Sequence, residues 1–339
     1  MHALTIAIPT YNRPAQLRAT LATILPQVLA CDQVELLLLD NHSETPVQNI
    51  LESLLTRPDS RVRVIRHPVN IGGNANIMRC FELCETDWLW VLGDDDKPAD
   101  NAVETILRDA GGGHCFCYYW VPKIQKPLFG ECEPEKVTGC STEALLRRFD
   151  GNFMQLIFIS AAVFNVSKIR PYLLFGYMSA TSGMPHLIMA MKAMVKGERW
   201  LISRVSIADY VYPGNGNTHN VLTFAYAVPS ILSCAVGRDE TDAVLQIMRG
   251  KHNYLGSPFL TIYRLIEHHQ FYTGGSNLRY LFNMVRQMYA PSAKDNPLGW
   301  CRWHIASIAL MFPKGYVKAI RFYEKQLKKN FSSIRCDRF

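Results

Sequence analysis

The sequence predicts an α/β protein: a parallel sheet wrapped by helices, continued by a helical C-terminal region. Three observations lead there. Short apolar runs alternate with amphipathic stretches through the first 110 residues. Three of those runs end in polar residues, at Thr10 to Arg13, at Asp40-Asn41 and at Asp94 to Asp96. From about Leu222 onward the alternation stops and only helical patterns remain. Strand, helix, strand, helix in that order specifies a parallel sheet. In such sheets a ligand lies beyond the carboxyl ends of the strands, so the three polar ends should gather at one edge.

Each element follows from local pattern. Leu4–Pro9 reads as a strand that stops in the turn Thr10-Tyr11-Asn12-Arg13-Pro14. Pro14 suits a helix's first turn, and Leu17, Leu21, Ile24, Leu25 and Val28 keep helical spacing after it. Val34–Leu39 is the second strand, Val47–Leu55 a helix and Val62–Ile65 a short strand. Asn70–Asn74 is a glycine-containing loop, and Ala75–Cys84 the helix after it. Trp88–Leu92 is a buried strand ending in Gly93-Asp94-Asp95-Asp96, with a helix expected from Ala99. Beyond Gly111 a strand is expected over His114–Trp120, a proline-containing connection over Lys123–Gly139, and a short helix over Ser141–Phe149. Phe153–Val166 is strongly apolar, Pro185–Lys196 helical, and Val211–Asn220 a polar, glycine-containing loop.

Composition narrows the function classes. With 339 residues, 48% hydrophobic and 19% charged, the chain has ample material for a core. Its ten cysteines include no CxxC pair, which argues against a zinc site or a disulfide scaffold and for buried thiols in a reducing cytosol. Met1 to Pro9 reads as a strand rather than a leader peptide, and Ile305–Phe312, the longest apolar candidate, covers less than half a bilayer. The expected location is therefore cytoplasmic. From Gly250 onward, 14 Lys plus Arg face 4 Asp plus Glu, a surplus of ten, so within the net +7 the preceding residues carry −3.

Asp94-Asp95-Asp96 is the sharpest chemical signal. Three adjacent carboxylates repel one another, and a hard divalent cation, Mg²⁺ or Mn²⁺, compensates that repulsion. An acidic helix N-terminus is the alternative reading. Asp40-Asn41 reads as a ribose or base contact or as an Asx turn. No GxGxxG fingerprint follows the first strand, which argues against a nicotinamide dehydrogenase.

Taken in order, Ile8-Pro9-Thr10-Tyr11-Asn12-Arg13, Asp40-Asn41, Asn70-Ile71-Gly72-Gly73-Asn74 and Gly93-Asp94-Asp95-Asp96 resemble the motifs of glycosyltransferase family 2. Gly93–Asp96, with Phe158-Ile159-Ser160 and Met184-Pro185-His186-Leu187 downstream, is similar to its abequosyltransferase-like branch. The resemblance implies a GT-A fold, a Rossmann-like sheet that binds a nucleoside-diphosphate sugar, with a helical C-terminal region. It implies a domain over 1–220, with a donor half at 1–120 and an acceptor half at 121–220, before a basic region at 221–339. Pro9, Thr10 and Asn12, with Tyr11 and Arg13, match the donor-binding turn. Asp40 matches the acidic residue at the base, and Asn70 and Gly72 the loop near base and ribose. Asp94 and Asp96 match the two ends of the Asp-x-Asp motif around Asp95, with Asp96 the direct ligand of a cation on the diphosphate.

The family's carboxylate base is missing near Ser182–Leu187, and His186 stands in as the candidate base, with metal binding and a structural helix-start role as alternatives. His219 is a further candidate at the metal and diphosphate. Asp150, Asn152 and Ser160 are candidates for the acceptor pocket, with capping or core roles as the default. The expected reaction moves a sugar to a hydroxyl of a bacterial surface glycan or lipid-linked saccharide. The basic, aromatic C-terminal run, from Trp300-Cys301-Arg302-Trp303 through Lys314–Tyr323 to Lys329, suits an anionic membrane surface at the inner face of the cell membrane. A sugar nucleotidyltransferase would carry a glycine-rich loop after the first strand, which Thr10–Pro14 lacks. An RNA-binding protein using the basic tail would sit poorly beside the acidic cluster, so no nucleic-acid partner is expected.

Overall fold

A computed structural model of the chain describes residues 3–121, 135–138, 140–148, 156–211, 229–251, 258, 282–283, 286, 290, 293–294 and 296–309. The chain divides into two compact units, Met1–Asn217 and Thr218–Phe339.

In the first unit, β1 (Leu4–Thr10), β2 (Val34–Asp40), β3 (Val62–Arg66) and β4 (Trp88–Val91) form the parallel part of the sheet. Helices α1 (Pro14–Leu29), α2 (Val47–Glu52) and α3 (Gly73–Leu83) connect them. All seven residues of β2 are buried, as a strand covered on both faces requires. The alternate residues Leu4, Ile6 and Ile8, Leu36 and Leu38, and Trp88, Trp90 and Leu92 share one core with Leu17, Leu21, Ile24, Leu25 and Val28 of α1. The helical spacing of those α1 residues is the reason for their common burial. Burying one such leucine is worth roughly 1.5–3 kcal/mol, so this stripe is a main support of the N-terminal half.

After β4 come the two-residue strand β5 (Lys97–Pro98) and α4 (Ala102–Ala110), three residues later than the sequence suggested. The rest of the sheet mixes directions. β6 (Phe116–Tyr118), β7 (Glu135–Thr138), β8 (Ala162–Asn165) and β9 (Arg199–Ile202) complete the order β3-β2-β1-β4-β8-β6-β9-β7. β8 runs antiparallel to both β4 and β6, β9 is parallel to β6, and β7 is antiparallel to β9. A separate pair joins β5 to β10 (Ala208–Asp209). The stretch expected as a plain connection at 123–139 thus contains a strand, and the described part of the apolar stretch 153–166 holds a 3-10 turn (Ile159–Ala161) followed by β8.

The intervening helices are α5 (Thr142–Arg148), α6 (Val166–Ile169), α7 (Leu173–Met178) and α8 (Pro185–Val195). Nine of the eleven α8 residues are buried, so this helix is apolar on nearly every face. An aromatic layer ties β6, β8, β9 and α3 together: Phe116 packs on Trp200 at 4.5 Å and on Phe164 at 5.2 Å, and Phe81 on Phe164 at 4.9 Å. The second unit includes α9 (Gly237–Lys251) and α10 (Pro297–Ala309), where Trp303 stacks on Phe282. No helix among the described residues is long and apolar enough to cross a membrane.

Candidate active site

Register builds the site. Thr10 pairs with Asp40 across β1 and β2, and Ala7 lies opposite Val91 of β4. Three residues further along, Thr10 therefore comes level with Asp94. The Thr10 hydroxyl donates to Asp94 Oδ2 at 2.6 Å. Arg13, at the entry to α1, donates through Nη1 to Asp94 Oδ1 at 3.0 Å and to Asp95 Oδ2 at 2.6 Å. Both Asp94 oxygens thus have donors.

Asp96 is anchored differently. Its Oδ2 accepts from the Ser160 hydroxyl at 2.6 Å, and that hydroxyl accepts in turn from the Gly93 N–H at 2.8 Å. Asp94 and Asp96 are each 6% exposed. Burial raises the pKa of both, opposed at Asp94 by the Thr10 and Arg13 donors and at Asp96 by the Ser160 hydroxyl, and Asp96 reaches about 7. Among the described residues no cationic side chain lies within ion-pair distance of Asp96. A buried, uncompensated hard-oxygen donor beside a second carboxylate fits a divalent cation. No group of three or more His, Cys, Asp or Glu side chains able to hold a metal is found among the described residues. Any cation here would therefore share its coordination with ligand or water oxygens.

The strand-end loops interlock around this cluster. Asn12 has a left-handed φ of 52°, its N–H donates to Ser43 Oγ at 3.0 Å, and its Oδ1 accepts from Glu44 N–H at 2.7 Å. Asp40 is fully buried and holds its own loop: Oδ1 accepts from Ser43 N–H, three residues on, at 2.8 Å, and Oδ2 accepts from Arg66 Nη1 at 2.8 Å. Asn41 Nδ2 donates to Asn70 Oδ1 at 2.8 Å, and Asn70 Oδ1 also accepts from the Gly72 N–H. Gly72 itself has φ 87°, a conformation that favours glycine. Thr10, Asn12, Arg13, Pro14 and Leu17 face Ser43, Glu44, Thr45, Val47 and Ile50 across a pocket of about 250 Å³. Its floor is apolar, its rim polar, and it shares Thr10 and Arg13 with the carboxylate cluster. Pro9 is half-buried, while Tyr11 is 42% exposed beside the mouth.

Residues 5–156 match the sequence model of Glycosyl transferase family 2. Over this segment, less than half of the chain, the sequence is similar to the family 2 glycosyltransferases. A curated relative, the abequosyltransferase RfbV of Salmonella typhimurium strain LT2, is 26% identical over 103 residues, which is 30% of this chain and 31% of that protein. Among solved structures, S. aureus TarS 1–349 in complex with UDP-GlcNAc superposes with a TM-score of 0.60 at 11% identity, covering 92% of each chain. The mannosyltransferase PcManGT of Pyrobaculum calidifontis, in complex with GDP-Man and Mn²⁺, gives 0.53 at 12% identity over 90% of this chain and 85% of that one. At such identities the likeness is one of fold, and the fold is that of GT-A glycosyltransferases.

The remaining sequence candidates fall in different places. His186, at the start of α8, is 2% exposed, and its Nε2 lies 3.1 Å from Ile157 O, so this nitrogen carries the proton and donates. Its Nδ1 is buried with no hydrogen-bond partner. Burial lowers its pKa to about 4, against the smaller opposing effect of the Ile157 carbonyl, leaving the ring neutral. His219, Asp150, Asn152 and the run Lys314 to Lys329 lie outside the described residues. Two contributors to this cluster and its loops were not anticipated. The Thr20 hydroxyl of α1 lies 3.0 Å from both backbone carbonyls of Asp94 and Asp96 and shares its one proton between them, and Arg66 of β3 anchors Asp40. A threonine on the buried face beside Leu17, Leu21 and Ile24 was the available signal for the first. Nothing in the pattern of β3 marked the second.

Proposed function

We propose that the protein transfers a glycosyl group from a nucleoside-diphosphate sugar to a hydroxyl of a saccharide. The observation that carries this reading is the convergence of Thr10, Arg13, Asp94 and Asp96 into one buried carboxylate cluster beside a pocket, inside the segment similar to the family 2 glycosyltransferases. The diphosphate lies over Asp94–Asp96, with Arg13 available to leave its carboxylate partners for a phosphate. The nucleoside extends toward the pocket under Tyr11, Asn12 and Glu44, and Asn70 and Gly72 border it. Asp96, with Asp94 beside it, would hold Mg²⁺ or Mn²⁺, which would supply charge compensation for the leaving diphosphate. The acceptor oxygen bonds to the anomeric carbon as the bond to the diphosphate breaks, and the hydroxyl proton passes to a base. His186 is the candidate base because its neutral ring offers a bare Nδ1. His219 is a further candidate beside the diphosphate.

The branch resemblance and the RfbV match support an acceptor that is a bacterial surface glycan or its lipid-linked precursor. The basic C-terminal run supports docking on an anionic membrane from the cytoplasmic side. Calorimetry tests the donor site: UDP, GDP, CDP and dTDP are titrated with and without Mn²⁺ into the wild-type chain and Asp96→Ala. One nucleotide should bind in a Mn²⁺-dependent manner, and the substitution should abolish that dependence. Absence of binding by all four would overturn the reading.

A further inference from the structure

Ser160 lies beyond residues 5–156, the segment that matches the family, yet its side chain reaches into the carboxylate cluster. It sits in the 3-10 turn that leads into β8, the antiparallel strand beside β4. Every polar atom of its side chain is committed. The one hydroxyl proton goes to Asp96 Oδ2 at 2.6 Å, while the oxygen accepts from the Gly93 N–H at 2.8 Å. Ser160 is held in place as well, because its carbonyl accepts from Trp90 Nε1 at 2.8 Å and the residue is wholly buried. Gly93 completes the fit: a Cβ there would collide with Asp96 Oδ2 and lie 3.2 Å from Ser160 Oγ. The backbone N–H of Val211 is the other donor that faces Asp96. Serine, glycine and aspartate are thus shaped to one another, and the serine comes from the part of the unit that follows the matched segment.

We propose that Ser160 is a positioning residue of the donor site, fixing the orientation of the Asp96 carboxylate and so setting the affinity for a divalent cation with the donor diphosphate. The proposal rests on the donor-site reading above. A buried hydroxyl that orients a ligating carboxylate acts like other outer-shell partners of metal ligands, whose loss costs about 10–100-fold in metal affinity. Without the Ser160 hydroxyl, Asp96 Oδ2 loses its side-chain donor and the Gly93 N–H is left without its acceptor, so both the carboxylate and its turn lose definition.

The test is a Mn²⁺ titration followed by electron paramagnetic resonance on the full chain, with UDP, GDP, CDP and dTDP present in turn. Wild type, Ser160→Ala and Ser160→Cys are compared, together with their melting temperatures and the KM and kcat for donor. Ser160→Ala should bind Mn²⁺ at least about tenfold more weakly and raise the donor KM. Ser160→Cys, close in shape with a weaker donor, should fall between the two. If Ser160→Ala does not fold, a weakened Mn²⁺ affinity in folded Ser160→Cys carries the same conclusion. A folded variant with wild-type Mn²⁺ affinity and donor KM, changed only in melting temperature, would overturn the role of Ser160 alone. A wild-type chain that binds no Mn²⁺ with any of the four nucleotides would overturn the donor-site reading beneath it.

Discussion

His186 and Asp96 are two buried titratable groups whose burial pushes them in opposite directions. His186 has a folded pKa of about 4 against an ordinary 6.5. Between those values the unfolded chain binds a proton that the folded chain refuses, so stability falls as the pH drops through this window. The separation corresponds to roughly 3 kcal/mol at its full extent. Asp96 works the other way. Its carboxyl is raised from 3.8 to about 7, so the folded chain keeps a proton the unfolded chain has lost, and that contribution fades as the pH rises toward 7. Comparing wild type with His186→Gln isolates the histidine. Denaturant melts from pH 7 to 4 should show the wild type losing stability in acid more steeply than the variant. The same variant examines the base: turnover should fall sharply while nucleotide and Mn²⁺ binding persist. Near-normal turnover would leave His186 with the structural role that its bond to Ile157 already shows.

Helix α1 does two jobs at the element scale. Its apolar stripe packs against the sheet, and within that stripe Thr20 reaches the carbonyls of Asp94 and Asp96. The helix is therefore a strut that fixes the backbone of the acidic turn while Arg13, at its entry, pairs with the side chains. Arg13 is nearly half-exposed, so this pairing is worth little to stability. Thr20→Val keeps the shape and removes the hydroxyl, leaving buried carbonyls without a donor. Such a change should cost about 1–3 kcal/mol in a denaturant melt. It should also weaken Mn²⁺-dependent nucleotide binding more than an equally destabilising change at Leu25, further along the same stripe. Equal losses of binding for the two would show that Thr20 acts only through stability.

Over the whole molecule, the carboxylate cluster, the pocket and the Ser160 turn all lie within the first compact unit, Met1–Asn217. A chain ending after Asn217 should therefore fold and keep Mn²⁺-dependent nucleotide binding, measured by the same calorimetry as the full chain. Loss of binding in a folded truncation would assign part of the donor site to later residues. The parallel half of this unit was legible in the sequence because each element announces itself locally: Leu4–Pro9 ends in a polar turn, Pro14 starts a helix, and Leu17 to Val28 repeat at helical spacing. The mixed half was legible only in part: the strand expected over His114–Trp120 is β6, and the helices expected near Ser141 and Pro185 are α5 and α8. β8 and β9 are four residues long, too short for a period to register, and β7 hides in what reads as a connection.

By itself the sequence determined the strand–helix order, the three polar strand ends and the acidic turn, because these depend on near neighbours: propensity, periodicity and turn chemistry. It also determined the family motifs, which are written in contiguous residues. Only the tertiary structure decided how those residues are used. Asp40 became a buried anchor because Arg66 reaches it from the neighbouring strand β3, beside the local Ser43 N–H. His186 became neutral because α8 is buried almost all round. Ser160 met Asp96 because an antiparallel strand lies beside β4 and brings together residues 64 positions apart. Contacts of that kind depend on which strand is laid against which, and no local pattern of side chains encodes them.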